Sequence, residues 1–473
     1  MITDKTAHPT AVYPLANFFP GGPSFSRALR NIRWWIYAYF FLLIFEGALR
    51  KWVFYTMPAI ADFLLLVRDP VVVIIYFLVW RAGLWPKHVY MYILYAFLGI
   101  FIAVGAYQII SISGMTVPIA IYGIRSYCLH LPLVFVLPAV MNEDDVLKIG
   151  KWIIKMVPLM TVLMIMQFIA PADHFLNRSG AEGGEQIGSA LGKIRMAGTF
   201  SYNTGAAKFY LLATAFFVYS YVRKEWLSAR WRMITAAAIL MVMPISGSRS
   251  LMLSFAITMG FTLVGAIFNP RLSSVIARIS LVFAVVSSLL VLSPTFQEGL
   301  NVFSTRWDEG LGATGQFSDA ITNRFFGDFS DAFDVTGEVP NFGNGLGIGS
   351  NVAAKLKTGD LGFLLAEAEW PRTVMEMGPV LGFSWLIFRC AIAFLLLRQS
   401  WIALRRNKTL AWLLLSTCMI DVINATMEQS TSLGFIVFSA GLTLAALNPA
   451  PSSEPFMLLP DVMFDAHSRL PTR

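Results

Sequence analysis

Long apolar segments separated by short polar connections make up most of the chain. Twelve of these segments predict helices, and many approach the roughly 20 residues that a helix needs to cross the hydrocarbon core of a bilayer. The pattern therefore predicts an all-α polytopic membrane protein with about 12 transmembrane helices. The predicted spans lie near residues 34–48, 58–80, 89–110, 116–140, 152–170, 203–222, 233–247, 250–268, 279–294, 375–397, 409–426 and 431–448.

Composition and cysteine usage agree with this class. The chain of 473 residues is 56% hydrophobic and only 14% charged, whereas soluble domains carry roughly 25% charged residues. Its three cysteines, Cys128, Cys390 and Cys418, all fall in apolar segments. They do not show the spacing of a disulfide framework or of a metal site, so we expect neither.

The placement of positive charge predicts the orientation. Five alternate connections between spans hold 14 lysines and arginines, whereas the short connections on the other side hold only Arg50, Lys51 and Arg249. Lysine and arginine concentrate on the cytoplasmic side of membrane proteins. We therefore expect both termini to be cytoplasmic and the sparsely charged connections to face outward.

This topology divides the chain into five parts. They are a cytoplasmic tail at 1–33, helices 1–9 at 34–294, a large outer loop at 295–372, helices 10–12 at 373–448, and a second cytoplasmic tail at 449–473. The outer loop, between spans 9 and 10, carries eleven acidic and five basic residues. A loop of this length is usually functional or disordered. Its many aromatic and leucine residues favour order, so we expect short helices packed on the membrane domain.

The stretch ISGSRSLMLSF, residues 245–255, places Arg249 between two apolar runs. An arginine at the bilayer centre costs roughly 2.5–3.5 kcal/mol on insertion scales, so we expect the chain to turn here and Arg249 to lie at the outer surface. A helix start with an arginine suits an anion, because backbone N–H groups are exposed there. The alternative is a topological charge whose side chain extends to the lipid headgroups.

A second charged group lies in LLAEAEWPRTVMEMGPVLG, where the outer loop re-enters the membrane. Glu367, Glu369, Arg372 and Glu376 occur close together, and Arg372 and Glu376 are spaced to pair across one helical turn. Carboxylates here suit a general base or a group that orients an acceptor. The alternative is simple charge capping of a span.

A third group precedes the sixth span, in KIRMAGTFSYNTGAAKF. Arg195 is expected outside the membrane and Lys208 just within it, with several hydroxyl-bearing residues between them. These residues could bind a phosphate or a sugar, or form an ordinary loop and helix cap.

Ionisable residues also occur in the early spans. FEGALRKW places Glu46 and Arg50 one helical turn apart, and further charges occur at Arg68, Asp69, Arg125 and His130. Such groups usually pair with one another in the interior of a helix bundle. We expect structural ion pairs, with a lipid-phosphate contact as the alternative.

Taken together, these segments resemble the O-antigen polymerase and ligase superfamily. GTFSYNTGAAKF, SGSRSLMLSF and AEAEWPRTVMEMGPVLG follow the family's order and spacing, and EGALRKW and LVRDP resemble a polysaccharide-polymerase subgroup. The resemblance covers most of the chain by topology, but strict motif identity covers only some tens of residues. In one departure, the family's frequent histidine falls on Glu367 here.

The resemblance implies a GT-C-like membrane fold in the bacterial inner membrane. It implies glycosyl transfer at the periplasmic face from undecaprenyl-diphosphate-linked oligosaccharide, without a cofactor and without nucleic acid. Flippase and chain-length regulator proteins are the implied protein partners. Arg249 and Arg195 would contact the diphosphate, and Glu376 and Gly378 match the family's ExG.

The candidate site joins these groups. We expect catalytic roles for Glu367, Glu369 and Arg249, substrate contacts for Arg195, Arg249, Arg324, Arg372 and Lys208, and structural roles for Glu376 and Gly378. The leading hypothesis is a polymerase of lipid-linked oligosaccharide repeats. The alternatives are a ligase that transfers lipid-linked glycan to another acceptor, and a non-enzymatic transporter of lipid-linked glycan.

Overall fold

The computed structural model describes residues 23–180, 186–314, 327–359, 362 and 364–449. Within these ranges the regular structure is helical, apart from one isolated β-bridge between Gly188 and Ile194. Nine helices there are long and apolar enough to cross a membrane. The chain is thus an all-helical protein of the kind expected in a lipid bilayer.

The helices of the first half coincide with the predicted spans. A π-helical turn at Leu49–Val53 continues α1, and a second one at Arg125–Leu129 follows α5. The elements are α1 (Pro23–Ala48), α2 (Pro58–Phe63), α3 (Arg68–Arg81), α4 (Val89–Ser111), α5 (Val117–Ile124), α6 (Leu133–Val140), α7 (Glu143–Ile169), α8 (Asn203–Val222), α9 (Ala229–Ile245), α10 (Arg249–Phe268) and α11 (Pro270–Leu290).

The large loop contains three short helices, as expected from its composition, and one longer helix of 21 residues, α12 (Pro294–Thr314). The short ones are α13 (Asp328–Asp334), α14 (Asn351–Thr358) and α15 (Glu369–Met377). After the loop come α16 (Pro379–Arg405), α17 (Leu410–Leu415), α18 (Met419–Asn424) and α19 (Ser430–Ala445). The tenth span therefore begins at Pro379, not near residue 375, because Gly378 separates it from α15.

Three of the predicted spans are shorter than the others. Helix α9 has 17 residues, and the last two spans are the short apolar helices Leu410–Asn424 and Ser430–Ala445. The eleventh is also interrupted, because α17 ends at Leu415 and α18 starts at Met419. The described residues thus contain nine helices long and apolar enough to span a membrane and two shorter apolar helices.

Helix α8 lies at the centre of the bundle. Its apolar window is 89% buried, whereas the windows of α10 and α11 are each 22% buried. Small residues permit the close packing, since a side chain at Gly205 would overlap the ring of Phe200. The residues at the start of α8 are consequently surrounded by other helices.

The two sides of the bundle differ. On one side, which we call the termini side, Arg33 of α1 pairs with Asp145 of α7 at 3.0 Å, and the backbone N–H of Glu143 donates to the carbonyl of Asn448 at 3.1 Å. The described parts of the connections 170–202 and 291–378 lie on the opposite side of the bundle, which we call the loop side. Every candidate residue that the structure describes belongs to the loop side.

Candidate functional site

The chain turns at ISGSRSLMLSF, as predicted. Helix α9 ends at Ile245 and α10 begins at Arg249, which is half-buried. Gly247 between them has a φ of +59°, a conformation that favours glycine. Arg249 therefore occupies the first position of a 20-residue helix on the loop side.

The segment that carries Arg195 packs against this turn. It forms a tight hairpin in which the N–H of Arg195 donates to the carbonyl of Ile187 at 2.9 Å. A Cβ at Gly247 would overlap the hydroxyl of Ser189 and would lie 3.8 Å from the carbonyl oxygen of Ile194. The structure thus brings the loops of Arg195 and Arg249 together.

The start of α8 completes this junction. The Asn203 side chain donates to the Ser248 hydroxyl at 3.4 Å. Neither Tyr202 nor Ser248 caps the helix that it precedes, so the first-turn N–H groups of α8 and α10 are not occupied by those side chains. Two adjacent helix starts with a nearby arginine form a suitable environment for an anion. We call this group the α8–α10 junction.

Lys208, which we expected to contact the substrate, lies beside a carboxylate of the chain. Its ammonium pairs with the carboxylate of Asp421 at 2.6 Å, and its side chain is only 10% exposed. Asp421 therefore offsets the charge of Lys208, which contributes less to anion binding than Arg249 does.

The charged residues of α15 form a buried cluster. Arg372 pairs with Glu369 and, at 2.9 Å, with Glu428. The predicted pairing of Arg372 with Glu376 is wrong, because the helix turns Arg372 toward these other two carboxylates. Glu369 also pairs with Arg389 of α16. With 1% exposure, Glu369 holds two arginines and has no open face for a substrate.

Glu376 fixes the glycine-rich loop PNFGNGLGIGS. Its carboxylate accepts hydrogen bonds from the Tyr127 hydroxyl at 2.8 Å and from the N–H groups of Gly347 and Gly349 at 3.0 and 2.9 Å. The side-chain oxygen of Gln108 accepts a further hydrogen bond from the Leu346 N–H at 2.8 Å. These bonds support the structural role expected for Glu376.

Gly378 has a steric role. Its φ of +83° and its close contact with the carbonyl of Asn341 leave no room for a Cβ. The residue ends α15 and lets the glycine-rich loop approach, which supports the structural role expected for it as well.

Burial and charge act in opposite directions in the α15 cluster. Burial raises the pKa of Glu376, against the effect of Arg372, and burial likewise raises the pKa of Glu428. Burial works to lower the pKa of Arg372, but the surrounding acids, Glu369 first among them, raise it. Arg372 therefore stays charged and is fully enclosed beside Glu369 and Glu428.

The early ionisable residues form ion pairs, as expected. Arg68 pairs with Glu46 at 3.0 Å, and Asp69 pairs with Arg125 at 2.7 Å. Asp69 also forms a hydrogen bond of 2.9 Å with the His130 ring. Arg68 also binds the Ser430 hydroxyl at 2.7 Å, which ties α3 to α19.

Arg50 is the exception among these residues. The predicted pairing of Arg50 with Glu46 is wrong, because Glu46 turns toward Arg68. Arg50 instead donates to the carbonyl of Ala61 at 2.8 Å and to the Ser201 hydroxyl at 3.1 Å. Lys51, which is fully buried, donates to the carbonyl of Gly198 at 2.6 Å.

Two candidate residues remain, Glu367 and Arg324. Glu367 is exposed, one residue before the N-cap of α15. Arg324 lies outside the described residues. Among the described residues, no group of three or more histidine, cysteine or acidic side chains could hold a metal ion.

Sequence reasoning missed four residues that organise the loop side: Tyr127, Gln108, Arg389 and Glu428. Two of them carried a usable signal. Arg389 interrupts the apolar run WLIFRCAIAF and Gln108 interrupts AVGAYQIIS, and polar residues inside spans usually have partners. The partners themselves are distant in sequence.

Comparison of the chain with protein-family models, with curated proteins and with solved structures finds no match. The functional argument therefore rests on the geometry of the loop side and on the residues of the chain itself.

Proposed function

We propose that this protein is a membrane glycosyltransferase that polymerises undecaprenyl-diphosphate-linked oligosaccharide repeats on the loop side. The observation that carries the proposal is the α8–α10 junction. There, Arg249 lies at the start of α10, beside the start of α8 and the hairpin of Arg195. This arrangement suits the diphosphate of a lipid-linked sugar.

The proposed reaction needs positive charge at the leaving group. An acceptor hydroxyl attacks the anomeric carbon of the donor sugar, a new glycosidic C–O bond forms, and the C–O bond to the diphosphate breaks. Negative charge grows on the leaving lipid diphosphate, and fixed cations and helix N-termini stabilise it. Arg249 and Arg195 are the residues we assign to this role.

The acceptor's proton needs a base. Glu367 is the predicted carboxylate that is exposed, so we assign proton acceptance to Glu367. Glu369 is buried between Arg372 and Arg389, and we assign it a positioning role for α15. Glu367 also occupies the place of the family's frequent histidine, which agrees with this choice.

The wider setting is part of the proposal. It comprises twelve crossings, a GT-C-like arrangement, a bacterial inner membrane with both termini cytoplasmic, and cooperation with a flippase and a chain-length regulator. The resemblance of the α8, α10 and α15 segments to the O-antigen polymerase and ligase superfamily supports it. The cations of the loop side support extracytoplasmic chemistry on an anionic lipid carrier.

Deletion of the gene, followed by analysis of lipid-linked glycans, tests the function. Single repeat units accumulating on the lipid carrier at the outer face would support a polymerase. Complete polymer left on its carrier would indicate a ligase instead, and repeats retained at the cytoplasmic face would indicate a transporter.

Arg249→Lys tests the assignment of the diphosphate site. Lysine keeps the charge but loses the planar fork that binds phosphate in two places, so we expect a loss of activity of about tenfold or more with normal membrane insertion. Arg306→Lys, in α12, where the half-buried arginine pairs with Glu309, is the matched control and should keep full activity. Full activity of Arg249→Lys would end the assignment.

A further inference from the structure

A small pocket on the loop side lies apart from the α8–α10 junction. Arg50, Tyr55 and Asp62 line one wall, and Ser179 and Gly180 line the other. The pocket is small, and apart from the open solvent at its mouth it has room for a group of about the size of one water molecule. A single oxygen of a larger anion would fit there.

The pocket has an excess of positive charge. Arg50 is 6% exposed and Lys51 is fully buried, yet within the described ranges neither forms a salt bridge, and their hydrogen bonds go to carbonyl and hydroxyl oxygens. The carboxylate of Glu46, which acts on Arg50, is itself paired with Arg68. Buried charges are normally paired, because removing an ion from water is costly. The one acidic residue of the wall, Asp62, is already paired with Lys355 at 2.6 Å.

A further cation stands at the same pocket. The guanidinium carbon of Arg178 lies 3.9 Å from the centre of the Tyr55 ring, and Tyr55 lines the pocket. Arg178 is only partly buried, whereas Arg50 is 6% exposed. A more exposed cation and a buried one therefore stand at this pocket.

The walls are held in place before any ligand arrives. Asn177, just before the second wall, donates to the carbonyls of Gln167 and Pro171 at 3.1 and 2.8 Å. A Cβ at Gly180 would overlap Ser201 and would lie 3.1 Å from an Arg50 guanidinium nitrogen, so only glycine allows this approach. Arg50 itself belongs to a π-helical turn, an irregularity that is frequent at functional sites.

We propose that this pocket binds a phosphate group, held by the buried Arg50 and the more exposed Arg178. A phosphate offers the several oxygens that a planar guanidinium fork binds best. The group could belong to a membrane lipid or to a free phosphate, since both present the same oxygens. The site does not depend on the proposed glycosyl transfer.

The experiment uses the full chain in nanodiscs of phosphatidylcholine. Free anions are tested by titration with inorganic phosphate, and lipid-borne phosphate is tested by including phosphatidic acid in the discs and counting retained lipids by native mass spectrometry. Every chain in the experiment also carries Arg249→Gln, which weakens anion binding at the α8–α10 junction, so we expect one specific site. Saturation by phosphate would assign the site to a free anion, and retention of phosphatidic acid alone would assign it to a lipid headgroup.

Two variants locate the site. Arg50→Gln should weaken binding about tenfold or more, and Arg178→Gln should weaken it severalfold, because a charge-assisted hydrogen bond contributes on the order of 1.5–3 kcal/mol. Arg306→Gln makes the same charge change on α12 and should bind like the chain that carries Arg249→Gln alone. Arg178→Gln keeps the test open if Arg50→Gln does not fold, since Arg178 is only partly buried.

Three results would overturn the proposal. The first is the absence of binding by every probe, and the second is equal binding by both variants and the control. The third is binding that appears only after Glu182 and Glu185, which lie outside the described residues, are changed to glutamine. That result would make those carboxylates the partners of Arg50.

Discussion

At the scale of single residues, the buried arginines of the loop side differ in whether they contact a carboxylate. Arg68, Arg372 and Arg389 each contact a carboxylate, whereas the described contacts of Arg50 are with a carbonyl and a hydroxyl oxygen. A buried arginine that meets a carboxylate is already neutralised and suits a structural role. One that does not is suited to an external anion.

Glu369 provides a test of the structural role of the arginines that contact a carboxylate. Its carboxylate pairs with both Arg372 and Arg389, and all three side chains are buried. Glu369→Gln leaves Arg372 with Glu428 as its remaining salt-bridge partner, and it leaves Arg389 with only backbone carbonyls, such as those of Val422 and Ala425. We expect a loss of about 3–5 kcal/mol in the free energy of unfolding, measured by denaturant unfolding in detergent.

The matched control for this change is Glu298→Gln. Glu298 pairs with Lys193 but is 50% exposed, so its removal should change the free energy of unfolding by only about 0–1 kcal/mol. Similar losses in the two variants would contradict the structural role of Glu369.

The sequence identified which residues make buried polar contacts better than it identified the partners in those contacts. An arginine inside an apolar run signals a buried contact, but helical spacing suggests only neighbours one turn away. Glu428 is 56 positions from Arg372, and Ser201 is 151 positions from Arg50. These partners depend on how helices pack, which the pattern of apolar residues does not specify.

At the scale of elements, the apolar pattern located the helices and even the turn at Arg249. It did not predict that α15 and α16 are separate helices. The break at Gly378 arises because the glycine-rich loop approaches within contact of that residue. The glycines of the loop are visible in the sequence. Their contacts are visible only in the fold, where Glu376 and Gln108 accept hydrogen bonds from the loop backbone and hold it against the bundle.

The turn between α9 and α10 offers a test at this scale. Gly247 has a φ of +59° and no room for a Cβ beside Ser189. We expect Gly247→Ala to lower the free energy of unfolding by about 1–3 kcal/mol and to displace the hairpin of Arg195. Denaturant unfolding measures the first effect, and protease cleavage within the hairpin measures the second.

Gly260→Ala is the control within the same helix. Gly260 lies inside α10 with open space around its Cβ position, so alanine should raise stability by roughly 0.5–1 kcal/mol. A loss of stability there, or none at Gly247, would contradict this account of the turn.

At the scale of the whole molecule, the two sides of the bundle differ in chemistry. The termini side carries the capping box of α7 and its ion pair with Arg33. The loop side carries the buried charge clusters, the glycine-rich loop and both candidate anion sites. The two candidate anion sites lie close together, because the segment Gly198–Asn203 contacts Lys51 and Arg50 at one end and Ser248 at the other.

The orientation of these sides in the membrane is the last prediction. The distribution of lysine and arginine predicts that the termini side faces the cytoplasm. A cysteine in place of Glu309, whose side chain is 50% exposed on the loop side, should react with an impermeant maleimide added to intact spheroplasts. A cysteine in place of Lys148, 64% exposed on the termini side, should react only after the membrane is permeabilised. Of the native cysteines, Cys128 and Cys418 are buried and Cys390 is half-buried, so the unchanged chain gives the background. The reverse pattern would invert the topology, and labelling of both positions before permeabilisation would contradict a bundle with two separate sides.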